Sequence, residues 1–450
     1  MNDQRTLHFN AFLMSNGHHE ASWRLPESDP AALYDLAHWQ RLAAIAERGK
    51  LDSIFLADGP SLQHDARLRP AGALDPLILL TALATSTQHI GLIATASSTY
   101  NSPYNLARRF ASLDHVSGGR AGWNIVTTAG TDAARNFGRD ERPDHRDRYV
   151  RATEFVDVAI KLWDSWEDDA RVLDKDAGRY ADDDKIHAIN HVGSQFRVQG
   201  PLNVPRSPQG RPVLIQAGSS QDGREFAARY AEGIFTAAQT LEDGQAFYAD
   251  IKQRAARLGR GPNTVKILPG VVPVLGSTEA EARALDRQLE ELSSPEYGLQ
   301  QLSVMLEVPI ARLALDEPLP ADIVADTEVE GMQSRRQLVI ELARRDGLTV
   351  RQLIARLGGG RSHRTFVGTP EQVAATIQTW FDSGAADGFN IMPAVLPSGL
   401  ELFVEHVVPI FQKRGLFRTE YTGRTLREHY GLPWPENQFA PARQPARTVA

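Results

Sequence analysis

The chain has 450 residues, no cysteine and a formal net charge of −7 at pH 7, with 42% hydrophobic and 23% charged residues. Without cysteine the protein forms no disulfide, thiolate nucleophile, zinc–thiolate site or iron–sulfur cluster. The negative charge disfavours nucleic acid or an anionic membrane as the main partner. The chain starts without a basic segment followed by an apolar one, and its longest apolar run, residues 77–84, is too short to span a bilayer. We therefore expect a cytoplasmic protein.

Eight short apolar segments alternate with longer helical patterns along the chain. They predict strands at residues 7–13, 51–57, 89–97, 121–127, 212–217, 233–238, 265–275 and 388–393. The helical patterns lie at residues 31–48, 76–86, 104–115, 146–166, 241–258 and 399–413, with another beginning near residue 222. No G-x-G-x-x-G follows the first strand, which disfavours an open dinucleotide-binding sheet. Eight β–α repeats with near-continuous apolar strands predict instead an α/β fold, a closed (β/α)8 TIM barrel with loop insertions.

The helix before the last strand has the clearest end signals. Thr369 is placed to cap it, Pro370 suits its first position, and Gln372 completes a capping box with Thr369. Gly384 can adopt the left-handed conformation that ends a helix. We therefore predict a helix between these two signals.

We predict a single barrel domain over residues 1–450, interrupted by three segments. They are an insertion before strand five at residues 164–211, a helical insertion or lid at residues 276–366, and a C-terminal surface tail at residues 415–450. The first insertion is rich in aspartate, but Asp174, Asp176 and Gly178 do not keep the spacing of a calcium-binding EF-hand loop. We therefore predict a solvated acidic loop there.

Several polar residues follow the predicted strands, where the active site of a barrel lies. Ser219 and Ser220 stand between strand five and a helix, so they form either an anion site or an ordinary serine cap. His145 and Tyr149 are four residues apart on one helix face, and they either donate to a phosphate or form a surface pair. Asp58 ends strand two as a base, a ligand anchor or a helix cap.

The sequence favours no metal site. His18 and His19 are adjacent, and His187 and His191 are four residues apart. The second pair, however, lies in an extended, glycine-rich stretch and lacks the glutamate of an H-E-x-x-H pattern. The strand ends also lack the paired carboxylates of a glycosidase, and the sequence lacks a G-x-S-x-G nucleophile elbow.

Long sequence blocks resemble a known family. The block at residues 95–127 reads TASSTYNSPYNLARRFASLDHVSGGRAGWNIVT, and others are GHHEASWR at 17–24, FLADG at 55–59, the segment at 196–235, and RTFVGTPEQVA at 364–374. Together they resemble the flavin-dependent monooxygenases of the bacterial luciferase-like superfamily. The resemblance is closest to the branch of nitrilotriacetate, EDTA, dibenzothiophene-sulfone and dimethyl-sulfide monooxygenases, and it extends over nearly the whole chain.

The resemblance implies a TIM barrel that binds reduced FMN (FMNH2) from a separate NAD(P)H:FMN reductase. O2 would add at flavin C4a, and the resulting (hydro)peroxide would oxygenate a small organosulfur, amine or carboxylate compound, often with C–S or C–N cleavage. The implied cofactor contacts are Phe12, Asp58, Thr95, Asn124, His145, Tyr149, Ser219 and Ser220. Asn124 would project toward the flavin ring as a catalytic residue, and Trp23 would face the substrate. The relatives also imply a homodimer or homotetramer.

His18 is the second catalytic candidate, because it follows strand one and titrates near neutral pH. We hypothesise that it assists proton transfer. The alternative is that His18 has a purely structural role. Substrate selection is expected from the second insertion and its end, which carry His363 and the arginines Arg335, Arg336, Arg361 and Arg364. An arginine cluster facing the mouth would favour carboxylate substrates.

Three alternative functions differ in their chemistry. They are a deazaflavin-dependent oxidoreductase, a non-catalytic flavin-binding barrel and a metal-dependent hydrolase. The family blocks disfavour the first, the lid-like insertion disfavours the second, and the third lacks a convincing set of metal ligands.

Overall fold

The structure, a computed structural model, describes residues 5–14, 16–62, 65–141, 143–325, 333–358 and 363–440. Eight strands of the described residues form a closed parallel barrel in which each strand pairs with its neighbours in the chain and the last pairs with the first. We number them β1 His8–Leu13, β2 Ser53–Leu56, β3 Gly91–Ser97, β4 Ala121–Val126, β5 Val213–Gln216, β6 Gly233–Thr236, β7 Lys266–Leu275 and β8 Gly388–Ile391. The predicted (β/α)8 barrel is confirmed.

Helices surround the barrel and fill the insertions. They are α1 Leu36–Arg48, α2 Pro76–Ala84, α3 Pro103–Ser117, α4 Thr131–Asn136, α5 His145–Asp164, α6 Gln221–Tyr230, α7 Leu241–Arg257, α8 Glu279–Leu292, α9 Pro295–Leu306, α10 Ala321–Ala325, α11 Gln333–Asp346, α12 Val350–Gly358, α13 Pro370–Asp382, α14 Ser398–Leu402, α15 Val408–Lys413 and α16 Leu426–His429. Short 3-10 turns occur at Ser22–Arg24, Pro30–Tyr34, Asp183–Lys185 and Ile310–Arg312, and a π-helical turn, Phe403–Val407, joins α14 to α15.

Local signals explain where the helices begin and end. The predicted capping box of α13 is present, since Thr369 accepts from the Gln372 backbone and Gln372 accepts from the Thr369 backbone. Gly384 follows α13 with φ of +72°, the left-handed conformation that glycine adopts without steric cost. Asp75 caps the N-terminus of α2, as Thr369 caps α13, and its carboxylate accepts hydrogen bonds from two backbone N–H groups.

Strand side chains alternate between two apolar layers. Phe9 and Leu13 of β1 pack outward in the cluster shared with the helices, whereas Phe12 of the same strand packs inward with Phe55 and Ile215. This period of two places every second side chain of a barrel strand inside the barrel. At the end of each strand, therefore, only every second residue can point its side chain into the barrel.

The predicted C-terminal surface tail is wrong between Phe417 and Leu432, where several side chains are buried, and agrees with the structure at the exposed positions. Leu426 and Tyr430 are fully buried and belong to the interior cluster of the barrel. The Tyr430 hydroxyl donates to Asn10 Oδ1 at 2.6 Å, and Asn10 in turn donates to Asn390 at 2.9 Å. Leu426 fits because a Cβ on Gly91 would lie 2.4 Å from its Cδ1 atom. We call residues 416–432 the plug, because they close the end of the barrel where the strands begin.

Buried ion pairs fix the plug. Arg418 binds Asp52 at 2.5 Å, and Arg427 binds Glu232 at 2.5 Å. Burial alone would raise the pKa of Asp52, but Arg418 and His8 hold it at about 2. The proline- and arginine-rich composition of this segment concealed these distant partners and led to the prediction of a surface tail.

The acidic segment before β5 is also less solvated than predicted. Asp164 is fully buried, where its carboxylate pairs with Arg206 at 3.1 Å and Arg211 at 3.6 Å. Many later acids of the run, such as Asp174, are exposed. The segment contains a two-stranded antiparallel hairpin, His191–Val192 with Arg197–Val198. The prediction is therefore wrong for Asp164 and agrees with the structure at exposed positions.

The second insertion has a core of its own. Helices α9, α11 and α12 share a buried cluster that includes Leu302, Leu342 and Leu353. After it, a strand that the sequence did not predict, Arg364–Gly368, pairs in parallel with β7 outside the closed barrel. Among the described residues, no helix combines the length and the apolar character needed to cross a bilayer.

The plug generates a stability prediction. We expect Leu426→Ala to lower the free energy of unfolding by about 2–5 kcal/mol, because it empties a packed position inside the barrel. Urea denaturation followed by circular dichroism measures the change, with Arg424→Ala at a nearby exposed position as the control. Equal unfolding midpoints for the two variants would show that residue 426 contributes no core packing.

Candidate active site

The floor of the barrel mouth is aromatic. Phe12, at the end of β1, stacks on Phe55 of β2 with ring centroids 4.7 Å apart. Phe235 of β6 meets both rings edge-on, at 5.3 and 5.6 Å. The ordered stack fills the barrel interior above the plug and offers a flat apolar surface to a ligand bound at the strand ends.

Above this floor lies a polar pair. Thr95 and Asn124 are register partners on β3 and β4, and Asn124 Nδ2 donates to Thr95 Oγ1 at 2.9 Å. The Asn124 Oδ1 atom is buried and has no hydrogen-bond partner among the described residues. A buried carbonyl oxygen without a donor is costly, so this position calls for a ligand with an N–H or O–H group.

Four of the predicted residues meet at the N-terminus of α6. Ser220 caps the helix by accepting from Gly223 N at 3.2 Å, and its hydroxyl lies 3.4 Å from His145 Nε2. The other His145 nitrogen contacts the Asp222 carboxylate at 3.1 Å. Ser219 precedes Ser220 in the same loop. Unpaired N–H groups and the helix dipole favour an anion at such a helix end.

Tyr149 completes this arrangement, which we call the anion cradle: His145, Tyr149, Gly218, Ser219 and Ser220. A Cβ on Gly218 would lie 2.8 Å from the Tyr149 hydroxyl, and one on Gly223 would lie 2.9 Å from it. Glycine is therefore needed where the loop approaches this hydroxyl. Burial raises the pKa of Tyr149, so the phenol stays protonated and able to donate.

Asp58 lies just past β2 with its side chain exposed at the mouth. Desolvation by the surrounding protein and the nearby Asp75 carboxylate raise its pKa to about 6. This carboxyl therefore changes protonation close to neutral pH, unlike a free aspartate.

Two predicted histidines reach the aromatic floor. His18 packs edge-on against Phe12 at 4.7 Å, and its Nε2 lies 2.9 Å from the Phe12 carbonyl oxygen. His363 stacks on Phe235 at 4.9 Å, which brings the end of the second insertion into the mouth. Trp23, on the turn Ser22–Arg24, is half-buried and belongs to neither the floor nor the cradle.

The described arginines of the second insertion and its end do not form a cluster at the mouth. Arg336 is buried in the insertion, where it donates to the backbone oxygens of Leu306 and Ile323. Arg364 donates to the Gln239 carbonyl oxygen and lies over the Trp380 ring. The Arg335 side chain and Arg361 lie outside the described residues.

The candidate metal histidines contact separate carboxylates. His187 bonds Glu167 at 2.9 Å, and His191 bonds Glu154 at 3.1 Å. Across the described part of the chain, no three His, Cys, Asp or Glu side chains form a group that could hold a metal ion. The two histidines therefore fasten the insertion instead of forming a shared site.

Sequence reasoning missed other residues of the mouth. Gln216, the last residue of β5, is buried beside the cradle, and its Oε1 has no hydrogen-bond partner within the described residues. Phe235 joins His363 to the floor. Position gave a usable signal in both cases, because each residue lies at the C-terminal end of a barrel strand.

The family follows from comparison with known sequences. Residues 16–387 match the sequence profile of the luciferase-like monooxygenases. The chain belongs to this family. The predicted family is therefore confirmed, and the protein is a flavin-dependent monooxygenase.

Relatives within the luciferase-like monooxygenases align over the whole fold. The chain is 50% identical to nitrilotriacetate monooxygenase component A of Aminobacter aminovorans, covering 98% of this chain and 99% of the relative. It is 48% identical to N-acetyl-S-(2-succino)cysteine monooxygenase of Bacillus subtilis, over 97% and 99%. A crystal structure of riboflavin lyase with modified FMN and riboflavin superposes with a TM-score of 0.85 at 33% identity, covering 95% of this chain and 96% of that one.

Buried His19 generates a prediction about stability and pH. Burial, and secondarily the charge of Arg69, lower its pKa from 6.5 to about 4. Unfolding therefore takes up a proton below pH 6.5, so the folded state loses stability as the pH falls from 6.5 toward 4. Between pH 6.5 and about pH 5, we expect the wild type to lose about 2 kcal/mol more unfolding free energy than His19→Gln.

Chemical denaturation at the two pH values measures this difference. His406→Gln is the matched control, because His406 is exposed and its removal should leave the pH dependence of the wild type unchanged. Parallel pH profiles for wild type and His19→Gln would contradict the assignment of a buried, neutral His19.

Proposed function

We propose that this luciferase-like monooxygenase is the oxygenase of a two-component system that uses FMNH2 and O2 to oxygenate a small organic substrate. The observation that carries the proposal is the anion cradle at the mouth of a barrel with an aromatic floor. The cradle matches the phosphate of FMN in charge, and the floor offers an apolar surface for a planar ring.

The residues of the mouth fit FMN at both of its ends. His145, Tyr149, Ser219 and Ser220 would hold the phosphate, since each can donate a hydrogen bond there. Asn124 would hold the ring through its buried Oδ1, with Thr95 keeping the amide in place. Asp58 and Phe12 would border the ring from β2 and β1. The riboflavin lyase with modified FMN supports this pairing of fold and cofactor.

When bound and reduced, FMN supplies the redox chemistry that activates O2 for transfer to the substrate. The protein contributes orientation and the exclusion of water. Its aromatic floor closes the barrel from below, and the second insertion packs beside the mouth through the contact of Arg24 with the Leu292 carbonyl oxygen. This dry, oriented chamber favours oxygen transfer over loss of oxidant to water.

His18 would handle a proton beside the floor. With Nε2–H donating to the Phe12 carbonyl oxygen, the neutral ring carries its basic lone pair on Nδ1. That atom would accept or return a proton during oxygen transfer. His363 and Trp23 would contact the substrate, His363 from its stacked position on Phe235.

A separate NAD(P)H:FMN reductase would supply FMNH2. The name of the relative from Aminobacter aminovorans identifies it as a component A, which supports a system of more than one protein. This chain also lacks cysteines for a dithiol relay to its own flavin. The relatives act on nitrilotriacetate and on N-acetyl-S-(2-succino)cysteine, so amine carboxylates and thioether carboxylates are the first substrates to test. We retain a homodimer or homotetramer as the proposed assembly.

FMN affinity tests the cradle directly. Ser219→Ala and Tyr149→Phe should each weaken FMN binding by about 1–2 kcal/mol, because each removes one donor to the phosphate. Quenching of flavin fluorescence measures the dissociation constant, with riboflavin, which lacks the phosphate, as the matched ligand. Ser112→Ala, at an exposed serine far along α3, is the control variant. Unchanged FMN affinity in both cradle variants would reject the assignment.

Activity is tested by supplying FMN, NADH and a generic flavin reductase together. We expect substrate-dependent O2 uptake and a product heavier by one oxygen atom, or its cleavage products, with label from 18O2. No 18O incorporation with any carboxylate or organosulfur substrate, despite tight FMN binding, would contradict a monooxygenase that uses FMNH2.

A further inference from the structure

One buried arginine near the mouth lacks the partners that its charge requires. Arg69 lies in the loop after β2 and is only 6% exposed. Its Nη1 donates to the Tyr297 hydroxyl at 2.9 Å, while its Nε makes no hydrogen bond to the described residues. No carboxylate of the described chain forms an ion pair with it. The guanidinium is therefore desolvated and only partly satisfied.

Three other buried arginines of this protein are better compensated. Arg206 pairs with Asp164 and Asp168, and Arg427 pairs with Glu232. Arg120 has no carboxylate but donates to several oxygens, among them the Ala84 and Ile90 carbonyls. Burying a charge without such partners is unfavourable, so the position of Arg69 needs a reason other than stability.

Its surroundings are built to hold the guanidinium in place. Tyr297 belongs to α9 of the second insertion, and its ring also lies 5.4 Å from the Arg69 guanidinium carbon. On the same loop, Arg67 reaches Glu296 of α9 at 3.8 Å. The loop thus contacts α9 of the insertion at two of its residues, Arg67 and Arg69.

The same surroundings leave the positive charge uncompensated. His19, in the loop after β1, is close enough to Arg69 for the arginine to lower its pKa, and it is neutral at pH 7. Asp65, the carboxylate four residues earlier, is occupied by Arg67. Both flanking loops follow barrel strands, so Arg69 lies on the side of the barrel where the substrate enters.

We propose that Arg69 binds a carboxylate of the substrate and makes this enzyme selective for organic acids, with Tyr297 as a positioning residue. A carboxylate would supply the counter-charge and accept from Nε and a terminal nitrogen of the planar guanidinium. Because Tyr297 belongs to the second insertion and hydrogen-bonds Arg69, an anionic substrate bound to Arg69 would contact the loop after β2 and be linked through Tyr297 to the insertion. The inference rests on the proposed function, because it concerns the substrate of the same site.

Direct binding tests the inference without turnover. Isothermal titration calorimetry on the protein loaded with oxidised FMN would compare nitrilotriacetate with its neutral trimethyl ester. Arg69→Gln should weaken nitrilotriacetate binding by about 10- to 100-fold and leave the ester unaffected, because it removes a charge-assisted pair. Arg69→Lys should recover part of the lost nitrilotriacetate affinity, since lysine keeps the positive charge but lacks the planar guanidinium that can bind a carboxylate with two hydrogen bonds.

Two further variants separate recognition from structure. Arg257→Gln removes an exposed arginine at the end of α7, outside the loops that surround Arg69, and should leave nitrilotriacetate affinity unchanged. Tyr297→Phe keeps the ring but removes the hydroxyl that accepts from Arg69, and it should weaken binding by about 3- to 10-fold. Without ligand, Arg69→Gln should melt at or above the wild-type melting temperature, and this measurement also shows that the variant folds. Nitrilotriacetate should raise the melting temperature of the wild type far more than that of Arg69→Gln.

The outcomes are distinct. Equal nitrilotriacetate affinity in wild type and Arg69→Gln, or no nitrilotriacetate binding by a wild type that binds FMN, would overturn the role of Arg69 and leave the proposed function standing. FMN affinity measured on the same samples tests that function separately, and a wild type that fails to bind FMN would remove both.

Discussion

The closed barrel is the constraint on which the rest of the structure depends. Closure sends every second strand side chain inward and directs the eight C-terminal strand ends toward one mouth. The interior is then filled in layers: Tyr430 and Asn10 at the base, and the stack of Phe12 and Phe55 above them. Because these layers fill the barrel below the mouth, the polar groups at the strand ends lie above a packed interior.

Three buried polar groups near the mouth lack full partners. Asn124 and Gln216 each bury an oxygen that no described residue satisfies, and Arg69 buries a guanidinium with one hydroxyl acceptor. Each of these groups costs folding free energy, whereas buried charges elsewhere, such as Asp164 and Glu232, have direct counter-charges. A ligand that supplied these missing partners would complete the hydrogen bonding at the mouth.

Local signals made most of the fold predictable. Apolar runs identified all eight barrel strands within a few residues, and the Thr369 capping box located α13. At the site, the family resemblance assigned Ser220 and His145 to the same ligand group, and their side chains lie 3.4 Å apart. Prediction failed where the determining contact joins distant residues. The burial of Asp164 depends on Arg206, and the burial of Tyr430 depends on Asn10, 420 positions earlier. Arg69 gave no signal, because an arginine in a loop looks solvated until α9 covers it.

The plug also determines when the barrel can be completed during synthesis. It follows β8 in the chain, so all eight strands leave the ribosome before Leu426 and Tyr430 are available to fill the interior. Until then, the base of the nascent barrel presents Asn10, Ser53 and Asn390 to solvent beside apolar side chains. The close-packed interior can therefore form only after all eight strands have been translated.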